Sequence, residues 1–405
     1  MVKSSTKGIK MKSEITICGY YGFDNLGDEA ILEAIVARLH ELGFKDHIVV
    51  LSNNPQETAR RYGVKAIDRW NLSAIARAMF KTKLFISGGG GLFQDATSIN
   101  SVVYYGAMIA LAKLAGAKIC VYGQGLGPLR SPASQMITRS SMNMADLLTV
   151  RDDDSKKMLA DWHIPATKTA DPVWNLPPTR LPSSVLEAWK KSLEGKRSDL
   201  LIGLSLRTLS SSDTSNGLDD QDLDNLVKSL KQAHGKEKDS TIVLLPLQAD
   251  QDRPILQRFE TAWQAAGGNC VWAPLDQNAK PSEWLSFIGT LDLVVGMRLH
   301  SLIMALKNNV PTFGLAYDPK VIHTLALFGE PYADLRLARD FGSWQQALQR
   351  QIKERKSRKQ ALAKAVKDVR IAEFGNAIVL ETLSGAKFAL LEEGEKKETS
   401  DANRQ

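Results

Sequence analysis

Residues Gly19–Ala30 read GYYGFDNLGDEA, directly after the apolar run EITIC and running into the helical pattern EAILEAIVARLHELG. A β-type run, a glycine-rich turn and a helical pattern, in that order, begin a β-α-β unit. Such a turn commonly holds phosphate on free backbone N–H groups. This one carries Asp24, Asp28 and Glu29, whose charges repel an anion. Neither nucleotide fingerprint is present. A P-loop needs Gly-Lys followed by Ser or Thr, where Gly27-Asp28-Glu29 stands, and the dinucleotide pattern needs G-x-G-x-x-G, whereas these glycines fall at 19, 22 and 27. The loop therefore reads as one wall of a cleft, with its acids facing that cleft and the anion held elsewhere.

The alternation continues outward. DHIVVLSN, KLFISGGGG, KICVYGQGLGP and LLTVRD are strand-like, and stretches such as SVVYYGAMIALAKLAGA between them are helix-like. Pro177, Pro178 and Pro182 interrupt the pattern, which restarts with DLLIGLSLR, STIVLLPLQ, NCVWAPL, LDLVVGM and VPTFGLAY. The expected fold class is α/β, with two Rossmann-like domains, parallel sheets and a cleft between them. The expected boundaries are 13–176, a linker 177–198, a second domain 199–390 and a polar, disordered tail 391–405.

The chain has 405 residues, 43% hydrophobic and 24% charged, as a soluble globular protein has. A net charge of +7 favours acidic ligands or an anionic membrane surface. No Arg/Lys stripe interleaved with aromatics points to nucleic acid. Cys18, Cys120 and Cys270 are far apart and read as reduced core residues of a cytoplasmic protein. No apolar run approaches the roughly 20 residues of a membrane span. The basic start, MVKSSTKGIKMKSE, lacks the apolar core of an export signal. Neither a metal-ligand cluster nor a G-x-S-x-G nucleophile elbow stands out.

Open parallel sheets bind ligands at the carboxyl ends of their strands. In the first domain those ends carry Gly19, Gly22, Asp24, Asn25, Gly27 and Asp28, then Gly88, Gly89, Gly90 and Gly91 with Gln94 and Asp95, then Gly123, Gln124, Gly125 and Gly127. Carboxylates and carboxamides suit a hydroxyl-rich ligand such as a sugar. The four-glycine run, at an apparent helix start, also offers N–H groups to a phosphate. The second domain carries Arg207, Arg298, His300, Ser301, Asp318, Lys320 and His323 at its strand ends. Arg, Lys, His and a helix N-terminus make an anion site. Arg151 either reaches the cleft or pairs with Asp152–Asp154. Asp171 either fixes the turn before Pro172 or faces the cleft.

GYYGFDNLGDEAIL, SGGGGLFQD, YGQGLGP and GMRLHSLIMAL, in this order, resemble the polysaccharide pyruvyl transferases, in particular the bacterial cell-wall type known as CsaB. The resemblance runs from about residue 13 to 338. It implies a GT-B-like fold and transfer of a pyruvyl group from phosphoenolpyruvate to a sugar, with no cofactor. In the bacterial members the sugar is a β-linked N-acetylmannosamine on a lipid-linked precursor, and the product is a 4,6-ketal. The family's Arg-Leu-His element falls on Arg298, Leu299 and His300, its downstream lysine on Lys320, and its arginine near the domain junction on Arg151. On this reading His300 is the acid or handles the leaving phosphate, and Arg298 and Lys320 hold phosphate and carboxylate. Asp24 or Asp95 orients or deprotonates the acceptor hydroxyls.

The partners implied are phosphoenolpyruvate, a lipid-linked glycan, the inner face of the cell membrane and a second copy of the chain. RWNLSAIARAMFKTK and RQIKERKSRKQALAKAVKDVR are the stretches suited to an anionic surface. The first also reads as an ordinary amphipathic helix packed on its own domain. Two alternatives stand beside this function. A nucleotide-sugar glycosyltransferase of the same architecture needs a carboxylate for the ribose, and only Gln248, Asp250 and Asp252 follow STIVLLPL. A non-catalytic sensor of phosphorylated metabolites would keep the anion site and have no use for the carboxylate-lined face.

Overall fold

A computed structural model describes residues 14–96, 98–195, 200–208, 218, 220–233, 240–335 and 341–384. The tail expected to be disordered, and the end of the expected linker, lie outside them. The first domain contains β1 (Glu14–Cys18), α1 (Leu26–Glu41), β2 (Ile48–Ser52), α2 (Pro55–Tyr62), β3 (Lys65–Asp68), α3 (Leu72–Met79), β4 (Thr82–Ser87), β5 (Gly90–Phe93), α4 (Asn100–Leu114), β6 (Lys118–Leu126), α5 (Pro132–Asn143), β7 (Leu147–Val150), α6 (Asp153–Asp161), β8 (Thr167–Lys168) and a 3-10 turn, Pro172–Asn175. An exposed helix, α7 (Ser183–Leu193), leads to the second: β9 (Leu200–Ser205), α8 (Asp220–Ala233), β10 (Ser240–Leu244), α9 (Ala249–Ala265), β11 (Asn269–Trp272), α10 (Pro281–Ile288), β12 (Leu293–Gly296), α11 (Leu299–Lys307), β13 (Thr312–Ala316), α12 (Pro319–Phe328), β14 (Tyr332–Asp334) and α13 (Phe341–Ser384).

Both sheets are parallel. Their orders are β3-β2-β1-β4-β6-β7-β8, with β5 beside β6, and β11-β10-β9-β12-β13-β14. Strands such as IVVLS, LVVG and TFGLA are buried along their whole length, as a sheet covered by helices on both faces requires. The strand order reverses between β1 and β4 in one domain and between β9 and β12 in the other, and open α/β sheets bind ligands at such reversals. The loop at Gly19–Asn25 lies at the first reversal and Arg298 at the second. All three cysteines are free and buried.

Two features differ from the sequence expectation. The SGGGG run does not start a helix. Gly90–Phe93 forms β5, paired parallel to the end of β6, and α4 begins only at Asn100. Its glycines are thus strand and loop backbone, not a helix N-terminus for phosphate. Helix α13 is not confined to the second domain. It starts there, with Leu348 and Ile352 in that domain's core and Gln351 donating to the Thr312 carbonyl at 2.9 Å. It ends against the first domain, where Asn376 is fully buried and bonded to the ends of β7 and β8. One hydrophobic cluster runs from β1 and α1 through Trp174 to α10 and α11, so the domains share a core.

Candidate functional site

The two switch-point faces meet directly. The Leu26 N–H donates to the Leu247 carbonyl at 3.1 Å across the cleft. Glu33 accepts from the Ser282 N–H and hydroxyl at 2.9 and 2.7 Å, and Arg61 donates to the Gln277 carbonyl at 2.8 Å. Beside these contacts lies a shallow open cavity, with Asp24, Glu29 and Arg61 on one wall and Leu247, Gln277 and Trp284 on the other.

Five ionisable side chains converge next to that seam. Arg151, one residue past β7, pairs with Asp171 at 2.5 Å, and both side chains are buried. His300, in the first turn of α11, points Nε2 at the same Asp171 oxygen from 3.6 Å. That nitrogen has no hydrogen-bond partner among the described residues. Its other ring nitrogen lies where a Cβ on Gly27 would sit, 2.1 Å away, so α11 and the start of α1 can close on the imidazole only because residue 27 is glycine. Asp28 follows, its carboxylate against Gly90, which has φ +98°. Lys320, in the first turn of α12, reaches the Gly127 carbonyl at 3.4 Å and passes 3.2 Å from a Cβ built on Gly91. Gly125 leaves room for Arg151, whose Nε would be 2.8 Å from a side chain there. The glycine loops are thus shaped around this cluster.

The charges set one another's protonation. Burial works against ionised Asp171, but His300 and Arg151 overcome it and hold the carboxyl well below the usual range. Burial likewise opposes charge on Arg151, and Asp171 and Asp152 keep it cationic. Burial, followed by the Arg151 charge, lowers Lys320. Asp28 goes the other way. Burial, with Glu29 and Asp171 adding repulsion, outweighs His300 and Arg151 and pushes it up to about 6. The site therefore holds one permanently ionised carboxylate and one that exchanges its proton near neutral pH.

The remaining predicted residues divide by what they touch. Asp24 stands exposed on the cavity lip in a left-handed conformation, φ 54°. Arg298 is the N-cap residue of α11 and faces the second-domain wall, bound through its Nη2 to the fully buried Asp252 at 2.5 Å. Arg207 donates to the Tyr317 hydroxyl at 2.9 Å. Leu299 packs on the core, and Ser301 is buried with its hydroxyl on the Arg298 carbonyl at 2.6 Å.

Several of the polar residues expected to meet a sugar are structural. Asp95 accepts from the Arg130 N–H at 2.8 Å and the Ser131 N–H at 2.9 Å. Burial raises its carboxyl, but those backbone bonds prevail and hold it low, so it is a staple between loops and a poor base. Asn25 caps α1 through the Gly27 N–H at 3.1 Å, and Gln94 caps its own turn through the Ala96 N–H at 2.9 Å. Gln124 is fully buried and ties the Gly90 and Gly125 carbonyls together. Gly22 has φ +77° and donates to Glu29 at 2.7 Å. Gly19 and Gly89 are close-approach positions, beside the Tyr21 ring and the Tyr122 carbonyl. Glu29 lines the cavity, but its carboxylate is tied up within its own domain. It is buried against Tyr62 at 2.7 Å and near Arg61 at 3.9 Å.

Asn376 of α13 had no sequence signal. Its carboxamide accepts from Thr149 and Thr169 at 2.5 and 2.8 Å and donates to the Ala170 carbonyl at 3.0 Å. It clamps the two strand ends that carry Arg151 and Asp171. Among the described residues no group of three or more His, Cys, Asp or Glu could hold a metal, and no helix is long and apolar enough to cross a membrane.

Paired parallel-sheet domains with the site at their facing switch points define a GT-B-like protein. Solved structures agree on the fold. HepE of Anabaena in complex with UDP-glucose is 13% identical, with a TM-score of 0.56 over 92% of this chain and 100% of that one. The UDP-GlcNAc 2-epimerase of Methanocaldococcus jannaschii is 12% identical, with a TM-score of 0.56 over 92% and 99%. No curated protein matches the chain by sequence. The polysaccharide pyruvyl transferase family matches residues 25–319, and the chain belongs to that family.

Proposed function

We propose that the chain transfers a pyruvyl group from phosphoenolpyruvate to two hydroxyls of one sugar, closing a 4,6-ketal and releasing phosphate. The acceptor of this reading is a β-linked N-acetylmannosamine of a lipid-linked cell-wall precursor, as for the CsaB type. The observation that supports it most is the convergence of Arg151, Lys320 and His300 on one point of the cleft, with the raised Asp28 beside them. Phosphoenolpyruvate brings two anionic groups, and Arg151 and Lys320 are the cations aimed at them. Arg298 joins only by leaving Asp252.

Protonated Asp28 delivers its proton to C3 of the enol, turning CH₂ into CH₃. A sugar hydroxyl attacks C2, His300 takes that hydroxyl's proton, and the first C–O bond forms. His300 then returns its proton to the phosphate as the C2–O bond breaks. The second hydroxyl attacks C2, and its proton restores Asp28. One phosphoenolpyruvate and one diol give one ketal and one phosphate. Asp24, on the cavity lip, orients the acceptor.

The test is phosphate release from phosphoenolpyruvate with and without a soluble β-linked N-acetylmannosamine disaccharide. Release that requires the acceptor, and falls about 10²–10⁴-fold in His300→Ala, is expected. Binding of phosphoenolpyruvate without release would identify a sensor instead. Normal release in His300→Ala would remove His300 from the chemistry.

A further inference from the structure

We propose that the α3 face of the first domain is a docking surface for an anionic lipid bilayer. Helix α3 turns Ile75, Ala78 and Met79 into the core. At 100° per residue, Ser73, Arg77 and Phe80 fall on the far side. Phe80 is 77% exposed there, and Trp70 and Leu72 at the other end are 64% and 71% exposed. Three large apolar tips this open, on one eight-residue helix and its flanks, are more than a scatter of single surface hydrophobics.

Charge selects the occupant. Arg77, Lys81 and Lys83 are exposed within three residues of Phe80 in the chain, and among the described residues none pairs with a carboxylate. The nearby acid, Asp68, is engaged with the Trp70 N–H at 2.9 Å. Unpaired cations beside Trp and Phe match the headgroup region of an anionic bilayer, where basic and apolar contacts act together. The basic face of α13 offers Lys353, Lys356, Lys359, Lys364 and Lys367 to solvent, but its exposed large apolar side chains, Ile371 and Ile378, both lie beyond that run toward the helix end and neither is aromatic.

The patch is continuous with the site. Trp70 packs on Tyr104 with ring centroids 5.5 Å apart, and the buried Arg69 guanidinium lies 4.2 Å from the Tyr104 ring and 5.1 Å from the Phe23 ring. Phe23 belongs to the Gly19–Ala30 loop. A bilayer on α3 therefore lies beside the loop that receives the acceptor. The biological purpose of this surface rests on the lipid-linked acceptor proposed above, whereas its lipid binding does not.

The experiment is co-sedimentation of the full chain with phosphatidylcholine vesicles, with and without one quarter phosphatidylglycerol. Three proteins are compared: wild type, Trp70→Ser/Leu72→Ser/Phe80→Ser, and Arg77→Gln/Lys81→Gln/Lys83→Gln. Wild type is expected to partition at least tenfold more strongly onto the anionic vesicles at low salt. Each triple variant is expected to lose at least tenfold, while releasing phosphate with the lipid-free disaccharide at within twofold of the wild-type rate. Absence of wild-type binding overturns the proposal, as does undiminished binding by the apolar variant. Self-association that the apolar variant abolishes, with no vesicle binding, gives the surface to a second copy. Vesicle binding without acceptor-dependent phosphate release leaves the docking surface standing and refutes the pyruvyl transfer.

Discussion

Asp28→Asn separates stability from catalysis at one atom. The substitution keeps the side chain's size and removes its charge. A carboxyl moved from 3.8 to about 6 corresponds to about 3 kcal/mol at ~1.36 kcal/mol per pH unit. Asp28 is half-buried, and solvent screening brings this to about 1–2 kcal/mol. Because the folded-state value is raised, the native protein keeps the proton over the window from about 4 to about 6 and loses stability as pH climbs through it. The asparagine cannot ionise, so the variant is expected to match wild type below pH 4 and to exceed it by that amount above pH 6. Activity moves oppositely. The proton donor is gone, so phosphate release falls about 10²–10⁴-fold. The alkaline limb expected in wild-type kcat/KM near pH 6 disappears with it. Chemical denaturation at pH 4 and pH 8, with phosphate release across the same range, reads both quantities. A variant less stable than wild type at pH 8, or one still active with an unchanged pH profile, would refute the assignment.

Gly27→Ala places a methyl 2.1 Å from His300 Nδ1. Activity is expected to fall at least 100-fold while circular dichroism stays native. Asp171→Asn leaves the buried Arg151 only the more distant Asp152, 3.9 Å away, and costs about 3–5 kcal/mol, read by denaturation at pH 7. The depressed Asp171 contributes stability above about pH 4 and loses it as the pH drops below, so the gap between variant and wild type closes in acid. Asp24→Asn is expected to raise the KM for the disaccharide severalfold and leave phosphoenolpyruvate binding unchanged, measured by calorimetry.

The fold was legible because central strands such as LVVG and TFGLA are buried along their whole length and appear as short apolar runs. Strand β5 was not, because four glycines carry no side-chain pattern to distinguish a strand from a turn. The path of α13 was hidden for another reason: an amphipathic pattern tells which face is buried but not against which domain. In the site, Arg151, His300 and Lys320 stood out as basic groups at strand ends. Asp171 was legible as either turn or cleft residue and is both, since one oxygen caps Val173 while the other holds Arg151. Asp95, Asn25 and Gln94 misled because capping a loop calls on the same side chains as binding a sugar. Arg298's partner Asp252 lies 46 residues away, a distance no local motif spans.

The reach of α13 bears on how the protein is made. Asn376 bonds to Thr149, Thr169 and Ala170 across 227, 207 and 206 residues of sequence. At a synthesis rate of about 5–20 residues per second, that is roughly 10 to 45 s in which the first domain has left the ribosome without its clamp. Over that interval the ends of β7 and β8 lack their shared partner, and the Arg151–Asp171 pair has no fixed frame. A nascent chain stalled before α13 would carry every cleft residue named above and still be inactive. Supplying the α13 segment as a separate peptide to such a chain tests whether completion, and not domain folding, is the step that switches the site on.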